Sequence, residues 1–170
     1  MNRRVLVFLL LTVVLSCVTP GFAHRVYAGE SDSGQGLIDQ ACAVAAAHRT
    51  LVLVKFGAEW CPWCRDMKKV FQEPVMVDVL KHFELVELDV GKRSIVDGKK
   101  SYERHFDLMM KYARKAFIPQ LFILDKKGRF VARLNPEDYE RTAKPEGNDP
   151  ARLAKILSRY RLPQKPSNKE

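Results

Sequence analysis

The spacing of hydrophobic residues changes several times along the chain, and each change marks a predicted element. Apolar residues three and four positions apart, the period of an amphipathic helix, predict helices over residues 37–48, 61–72, 75–82 and 101–115. Short apolar runs predict strands over residues 51–56, 83–90, 120–124 and 129–134. A polar link that ends in Gly128 joins the last two strands, so we expect them to form a hairpin.

The same pattern sets the limits of one folded domain. Asp149 followed by Pro150 has the form of a capping residue and a first helical position, and the apolar stripe after it predicts a last helix. Helices therefore alternate with strands, the order typical of an α/β fold. We place the domain at residues 37–162, after a small polar linker at 29–36 and before a polar tail at 163–170.

The start of the chain has the features of a secretory signal. A cationic start precedes an apolar run at 5–18, which is shorter than the roughly 20 residues that a membrane-spanning helix needs. Small residues suited to a signal peptidase follow, so we predict a signal peptide within residues 1–28, cleaved after Ala23 or after Ala28. The protein is thus predicted to be exported to the periplasm. The alternative is a lipoprotein anchored through Cys17.

Composition and charge narrow the range of partners. The chain has 170 residues, 46% of them hydrophobic and 29% charged, which fits one globular domain and excludes a fibrous or disordered chain. Its formal net charge of +9 admits nucleic acid, an anionic membrane surface or an acidic protein. Export removes the chain from the compartments that hold nucleic acid, so we expect no nucleic-acid partner and interpret the scattered cations as a solvated surface.

Two cysteines carry the clearest chemical signal. Trp60, Cys61, Pro62, Trp63 and Cys64 follow a predicted strand and open a predicted helix. The free amides at a helix N-terminus favour a thiolate, so Cys61 is expected to be a nucleophile at neutral pH. Cys64, one turn further along, is expected to be the buried resolving thiol that attacks a mixed disulfide formed on Cys61.

This motif resembles the thioredoxin superfamily. The resemblance rests on residues 55–64 and on Ile118 and Pro119 ahead of a predicted strand and hairpin. It implies a thioredoxin-like fold, a central mixed β-sheet flanked by helices on both faces. It implies a thiol:disulfide oxidoreductase whose redox-active Cys61–Cys64 disulfide needs no added cofactor. It also implies a cis proline at Pro119 beside that disulfide, with the backbone of Ile118 pairing with the substrate chain.

The resemblance covers about residues 51–134 and is closest to exported members of the superfamily. The spacing from the cysteines to residues 71–74 is similar to that in the C-terminal domain of the bacterial thiol:disulfide interchange reductase. This implies two kinds of partner, exported proteins with thiols or disulfides and a membrane-bound electron donor. One departure is a long segment between Cys64 and Pro119, which we expect to enlarge the helix at 101–115.

A second departure concerns two charged residues. Members of the superfamily often have Asp at the position of Lys55 and Lys at the position of Glu87, so the charges look exchanged here. We expect a Lys55–Glu87 pair beneath Cys64, in which one member accepts the proton of the resolving thiol and the Lys55 charge favours its thiolate. The alternative is that Lys55 extends to solvent and never meets Glu87.

The tryptophans and the residues between the cysteines indicate where a substrate binds and in which direction electrons flow. We expect Trp63 to be a partly exposed apolar lip and Trp60 a packed support with an exposed edge. Together with Pro62, Ile118 and Pro119 they form the expected substrate-binding set. Strong oxidants of the superfamily carry Pro-His between the cysteines, and a Trp there cannot stabilise the thiolate in the same way. We therefore expect a reductant or an exchanger.

The sequence is also compatible with functions other than catalysis. The cysteines could be incidental to a binding module or a metal-handling chaperone. A closed zinc site needs four ligands, and His48, His82 and His105 are isolated in the sequence, so we predict no metal site. Cys42 lies on a predicted apolar helix face and is interpreted as a buried small hydrophobe.

Overall fold

The computed structural model describes residues 26–28, 33–143 and 145–162. Residues 1–25 of the predicted signal peptide, the alternative lipidation site Cys17 and the polar tail at 163–170 lie outside the described residues. Within the described segments, no helix combines the length and the apolar character that crossing a membrane requires.

Strands and helices alternate along the described chain much as the hydrophobic pattern predicts. In chain order they are β1 (Val26–Ala28), α1 (Gly34–His48), β2 (Leu51–Gly57), α2 (Pro62–Val70), α3 (Pro74–Leu80), β3 (Phe83–Asp89), β4 (Arg93–Val96), β5 (Lys99–Tyr102), α4 (Phe106–Tyr112), β6 (Gln120–Leu124), β7 (Phe130–Leu134), α5 (Pro136–Tyr139) and α6 (Pro150–Ser158). The four predicted strands correspond to β2, β3, β6 and β7.

Five of the strands form a mixed central sheet in the order β1-β3-β2-β6-β7. β1 and β2 run parallel to β3, whereas β6 pairs antiparallel with both β2 and β7. The register of β2 and β3 sets Lys55 opposite Glu87. This sheet and the helices around it confirm the predicted fold class.

The central strand β2 separates two hydrophobic cores. Val52, Val54 and Phe56 pack with α1 and α4 on one face, whereas Leu51 and Leu53 pack with α2, α3 and α6 on the other. Successive side chains of a strand point to opposite faces, so helices cover both sides of the sheet. Every residue of β2 is buried as a result, which is why the sequence there is an almost continuous apolar run.

Side-chain caps fix the starts of the first and last helices. Ser33 Oγ accepts a hydrogen bond from the amide of Gly36 at 3.1 Å, so α1 begins at Gly34. This start lies inside the linker predicted at 29–36, and the folded domain therefore begins before residue 37. The Asp149 side chain caps α6 by accepting hydrogen bonds from two backbone amides in the first turn of the helix, as the sequence predicts.

The helix predicted over residues 101–115 is wrong in its first half. β4 and β5 instead form a two-stranded antiparallel hairpin, and only α4 is helical. Asp97 and Gly98 make the turn with φ angles of 50° and 72°, the left-handed conformation that two-residue hairpin turns require. Tyr102 is buried at the end of the hairpin and continues the apolar spacing of α4, which is why the pattern predicted a longer helix.

The edge strand β1 lies inside the predicted signal peptide. Its residues pair with Leu85, Val86 and Glu87 of β3, and the hydroxyl of Tyr27 donates to Glu84 Oε2 at 3.4 Å. A chain cleaved after Ala28 lacks this strand, whereas a chain cleaved after Ala23 keeps it.

Candidate active site

Cys61 occupies the N-cap position of α2, immediately after the loop that leaves β2. Pro62 takes the first helical position, where its missing N–H costs nothing. The amide of Cys64 donates to Cys61 Sγ at 3.2 Å, so the sulfur stands in the place of a capping oxygen. Both thiols are free and buried, with exposed fractions of 4% for Cys61 and 3% for Cys64. The structure thus brings the two cysteines together in one turn.

The groups around the two cysteines give their thiols different pKa values. A hydrogen bond from the Cys64 side chain, the amides of Cys64 and Trp63 and the charge of Arg65 lower the pKa of Cys61 to about 7, against the effect of burial. Donation of that hydrogen bond, together with burial, raises the pKa of Cys64 above its usual range. Around neutral pH a substantial fraction of Cys61 is therefore thiolate while Cys64 keeps its proton, the division that suits attack by the outer cysteine.

Ile118 and Pro119 approach Cys61 from the start of β6. The Cys61 thiol donates to the carbonyl of Ile118 at 3.8 Å, and the Ile118–Pro119 peptide bond is cis. Pro119 is buried and Ile118 is half-buried. Gln120 donates from its side chain to the carbonyl of Phe117 at 3.0 Å, which fixes the loop that leads to the proline.

Lys55 and Glu87 meet close to Cys64. Lys55 Nζ donates a hydrogen bond to Glu87 Oε1, and the Lys55 side chain is 4% exposed whereas that of Glu87 is 24% exposed. The charge of Lys55 acts to lower the pKa of Cys64, against the larger effects that raise it. A Cβ atom added at Gly57 would lie 3.4 Å from both Cys64 Sγ and Lys55 Cε, so both groups border the space next to this glycine. The alternative of a solvent-directed Lys55 is therefore wrong.

A cleft of about 370 Å³ opens this charged pair to the surface. Lys55, Glu87 and Cys64 contribute to its walls, and an ion pair between the exposed side chains of Glu59 and Lys68 lies along it. Cys64 itself is buried, and the cleft is the opening that its side chain shares with Lys55 and Glu87.

Trp60 connects the cysteine motif to the β4–β5 hairpin. Its indole Nε1–H donates to the carbonyl of Gly91 at 2.7 Å, and its ring stacks on Tyr102 with centroids 6.5 Å apart. The guanidinium of Arg93 lies 5.9 Å from the centre of the same ring. With 44% of its surface exposed, Trp60 is a support with an open edge, as expected.

Asn148 binds the backbone of Trp63, one of the two residues between the cysteines. Its side-chain amide donates to the carbonyl of Trp63 at 3.2 Å and to Asp66 Oδ2 at 2.7 Å, and its backbone N–H donates to the same carboxylate oxygen at 2.6 Å. Asn148 is 1% exposed, whereas Trp63 is half-buried. The first turn of α2 is therefore fixed by a loop that precedes α6.

A comparison with protein families identifies the family of the chain. A family model described as thioredoxin-like matches residues 35–126. The chain belongs to the thioredoxin-like family. No curated protein matches its sequence.

Solved structures show the same fold as this thioredoxin-like chain. A disulphide isomerase from Xylella fastidiosa Temecula1 is 24% identical, over 65% of this chain and 80% of that one, with a TM-score of 0.52. A thioredoxin from Thermus thermophilus is 23% identical, over 81% and 87% of the two chains, with a TM-score of 0.53. A wild-type thioredoxin h from poplar is 19% identical, over 82% and 97% of the two chains, with a TM-score of 0.51.

The thioredoxin-like fold places the residues singled out in the sequence around one site. Those in or next to it are Lys55, Trp60, Cys61, Pro62, Trp63, Cys64, Glu87, Ile118 and Pro119. Sequence reasoning missed Asn148 and Asp66, for which no local pattern exists. It also missed the hairpin, although its Asp97-Gly98 turn is a recognisable signal.

Cys42 and His48 lie away from this site. The Cys42 thiol donates to the carbonyl of Asp125 at 3.7 Å, and burial raises the pKa of Cys42. His48 lies 3.3 Å from Glu84 through its Nδ1 atom. Within the described segments, no three His, Cys, Asp or Glu side chains are grouped closely enough to hold a metal ion.

Proposed function

We propose that this protein is a thiol:disulfide oxidoreductase that works through Cys61 and Cys64. The observation that carries the proposal is the contact between the two cysteines at the start of α2, where the amide and the thiol of Cys64 lower the pKa of Cys61. A thiolate held at a helix start beside a second thiol is the arrangement that disulfide exchange requires.

The reaction has two exchange steps. The Cys61 thiolate attacks one sulfur of a substrate disulfide, which forms a mixed disulfide and releases the other substrate sulfur as a thiolate that takes up a proton. Cys64 then loses its proton and attacks Cys61 Sγ, which releases the second substrate thiol and leaves a Cys61–Cys64 disulfide. The substrate gains two electrons and two protons. The protein supplies both electrons and the proton of Cys64, and the second proton comes from water, because Cys61 starts as the thiolate. The two sulfurs carry the electrons, so the proposal needs no organic cofactor.

Lys55 and Glu87 assist the second step. Cys64 has to lose its proton while its pKa is raised, and the carboxylate of Glu87 can accept that proton by way of water in the cleft. The charge of Lys55 stabilises the thiolate that results. The side-chain contact between the two residues and their common cleft with Cys64 support these roles.

Trp60, Pro62, Trp63, Ile118 and Pro119 form the surface that receives the substrate chain. Ile118 and Trp63 are half-buried, and Pro62 is exposed at the helix start, so partly accessible apolar surface lies next to Cys61. Trp63 offers no group like the imidazole that stabilises a thiolate in strong oxidants. The proposed direction is therefore reduction or exchange of disulfides in exported proteins, with a membrane-bound donor that restores the dithiol.

Reduction of insulin disulfides by a chain that starts at His24 tests the proposal. We expect turnover with dithiothreitol as the electron source, no turnover in Cys61→Ser, and a stable mixed disulfide on Cys61 in Cys64→Ser. Cys42→Ser is the matched control and should keep full activity. Peptide binding without turnover in the unaltered chain would contradict the proposal and support a binding module.

A further inference from the structure

Three openings adjoin one another on the surface that starts next to Trp63 and Pro119, because each shares lining residues with the next. The opening next to Trp63 and Pro119 shares Phe117, Pro136 and Glu140 with a second opening. The second shares Arg114 and Arg133 with a third, which has a volume of about 480 Å³. We call this surface the trough. It runs from the residues around Cys61 to the space between α4 and β7.

The far end of the trough is cationic and aromatic. Lys111, Arg114 and Arg133 line it together with Tyr112 and Phe130, and no carboxylate residue contributes to it. The two rings stack with centroids 6.4 Å apart, and 52% of Phe130 is exposed. Among the described residues, none of the three cations takes part in an ion pair.

The far end of the trough favours a negatively charged ligand. Three like charges around one cavity repel each other, and an anion placed among them removes that repulsion. Arginine donors match the two oxygens of a carboxylate, and the stacked rings offer apolar surface to the carbon atoms next to it. The lining changes towards the cysteines. The middle opening carries Glu137 and Glu140 beside its cations, so the cationic character is confined to the far end. In the opening nearest the cysteines, Trp63, Ile118 and Pro119 form an apolar wall that Glu140 and Asn148 complete.

We propose that the trough binds an acidic stretch of the polypeptide whose disulfide is exchanged at Cys61. This inference rests on the proposed function and names its substrate class, an extended segment with Asp or Glu several positions from its cysteine. The continuity of the trough is the reason to choose a polypeptide. A free anion would fill only the far end, whereas an extended chain, at about 3.3 Å per residue, fills the apolar end and the cationic end together.

The test compares two disulfide-linked peptides that differ only in the acidic stretch, one with Glu and one with Gln at those positions. We expect the Glu peptide to have a kcat/KM about tenfold higher at low salt, and this ratio to fall as salt is added. In a Lys111→Gln, Arg133→Gln double variant the ratio should approach one. Lys155→Gln, which removes an exposed cation on α6, should leave the ratio unchanged.

The outcomes separate this inference from the proposed function. Turnover of both peptides at equal kcat/KM would overturn the acidic preference and leave the oxidoreductase in place, whereas turnover of neither peptide would overturn the proposed function and this inference with it. Two further probes address other anions. Inhibition by inorganic phosphate, or binding to vesicles with anionic lipid, that is lost in the double variant while the two peptides react equally would assign the cationic end to those ligands and overturn the proposal.

Discussion

The side-chain amide of Asn148 donates a hydrogen bond to the carbonyl of Trp63, and this contact holds in place one of the two residues that separate the cysteines. The same amide and the backbone N–H of Asn148 both bind Asp66, which lies one turn further along α2. A buried loop residue thus sets the conformation of the helix start that carries Cys61.

Replacement of Asn148 by Ala is expected to destabilise the protein by about 1 to 3 kcal/mol, because it leaves the Trp63 carbonyl and an Asp66 oxygen without this donor in a buried place. Denaturant unfolding measures the loss. Asn135→Ala is the matched control, since the Asn135 side chain makes no capping hydrogen bond at α5. Equal stabilities of the two variants would show that the contact with Trp63 contributes little.

The rate of Cys61 alkylation by iodoacetamide is expected to rise with pH around an inflection near 7, because the thiolate reacts and the pKa of Cys61 is lowered to about 7. Below that pH the thiolate and the rate are lost together. Cys64→Ala removes the largest cause of the lowered pKa and should move the inflection upward. A Cys42→Ser background removes the third thiol from the measurement. An inflection near 8.5 in the unaltered site would contradict the assigned acidity.

Substitutions of Lys55 and of Glu87 are expected to lower the free energy of unfolding by different amounts. Glu87→Gln leaves a cation buried without its counter-charge, which should cost about 3 kcal/mol of unfolding free energy. Lys55→Met leaves a carboxylate that reaches water and should cost under about 1.5 kcal/mol. Unfolding of both variants in the reduced state checks this order.

The same pair should affect the second chemical step. Lys55→Met removes a charge that favours the Cys64 thiolate, so release of substrate from the mixed disulfide should slow about tenfold and its pH profile should move to higher pH. Alkylation of Cys61 should change little by comparison. Identical pH profiles for resolution in Lys55→Met, Glu87→Gln and the parent would show that the pair has only a structural role.

The central part of the fold and the cysteine pair could be predicted because both depend on local spacing. β2 is recognisable as a buried strand from its apolar run, and Cys61 and Cys64 are recognisable from their place after it. The Lys55–Glu87 contact could be inferred from the resemblance, which implies oppositely charged residues at these two positions, and the register of β2 and β3 sets the two opposite each other. Asn148 could not be found in this way, since its partner Trp63 is 85 positions distant and an asparagine in a polar loop has no periodicity.

The hairpin and β1 were missed for a different physical reason. β4 is exposed along its whole length and so lacks the alternation by which half-buried strands are recognised. β1 follows the apolar run of the predicted signal peptide, and nothing in its three residues distinguishes an edge strand from a cleavage site. In both cases the element also contacts a tertiary partner, Trp60 for the hairpin and β3 for β1, that its own sequence does not reveal.

Trp60→Phe is expected to loosen the β4–β5 hairpin. Phenylalanine keeps the ring that stacks on Tyr102 but lacks the N–H that donates to the Gly91 carbonyl. Hydrogen exchange of the hairpin amides should therefore quicken, by about fivefold for a hydrogen bond worth roughly 1 kcal/mol, while exchange in β2 and β6 stays the same. Arg93→Gln, which removes the cation over the same ring, is a second probe and should have a smaller effect. Unchanged exchange in Trp60→Phe would mean that the hairpin is held by its own turn.

The first residue of the mature protein is expected to be His24, because β1 belongs to the sheet. A chain that starts at Gly29 lacks the ladder from β1 to β3 and the packing of Tyr27 against the core, and should be less stable than a chain that starts at His24 by about 1 to 3 kcal/mol. Denaturant unfolding of the two chains measures this, and Tyr27→Ala in the longer chain should reproduce part of the loss. Mass spectrometry of the exported protein identifies its first residue directly. Equal stabilities, or a mature chain that begins at Gly29, would show that β1 is dispensable, and Glu87 would then lie on an edge strand.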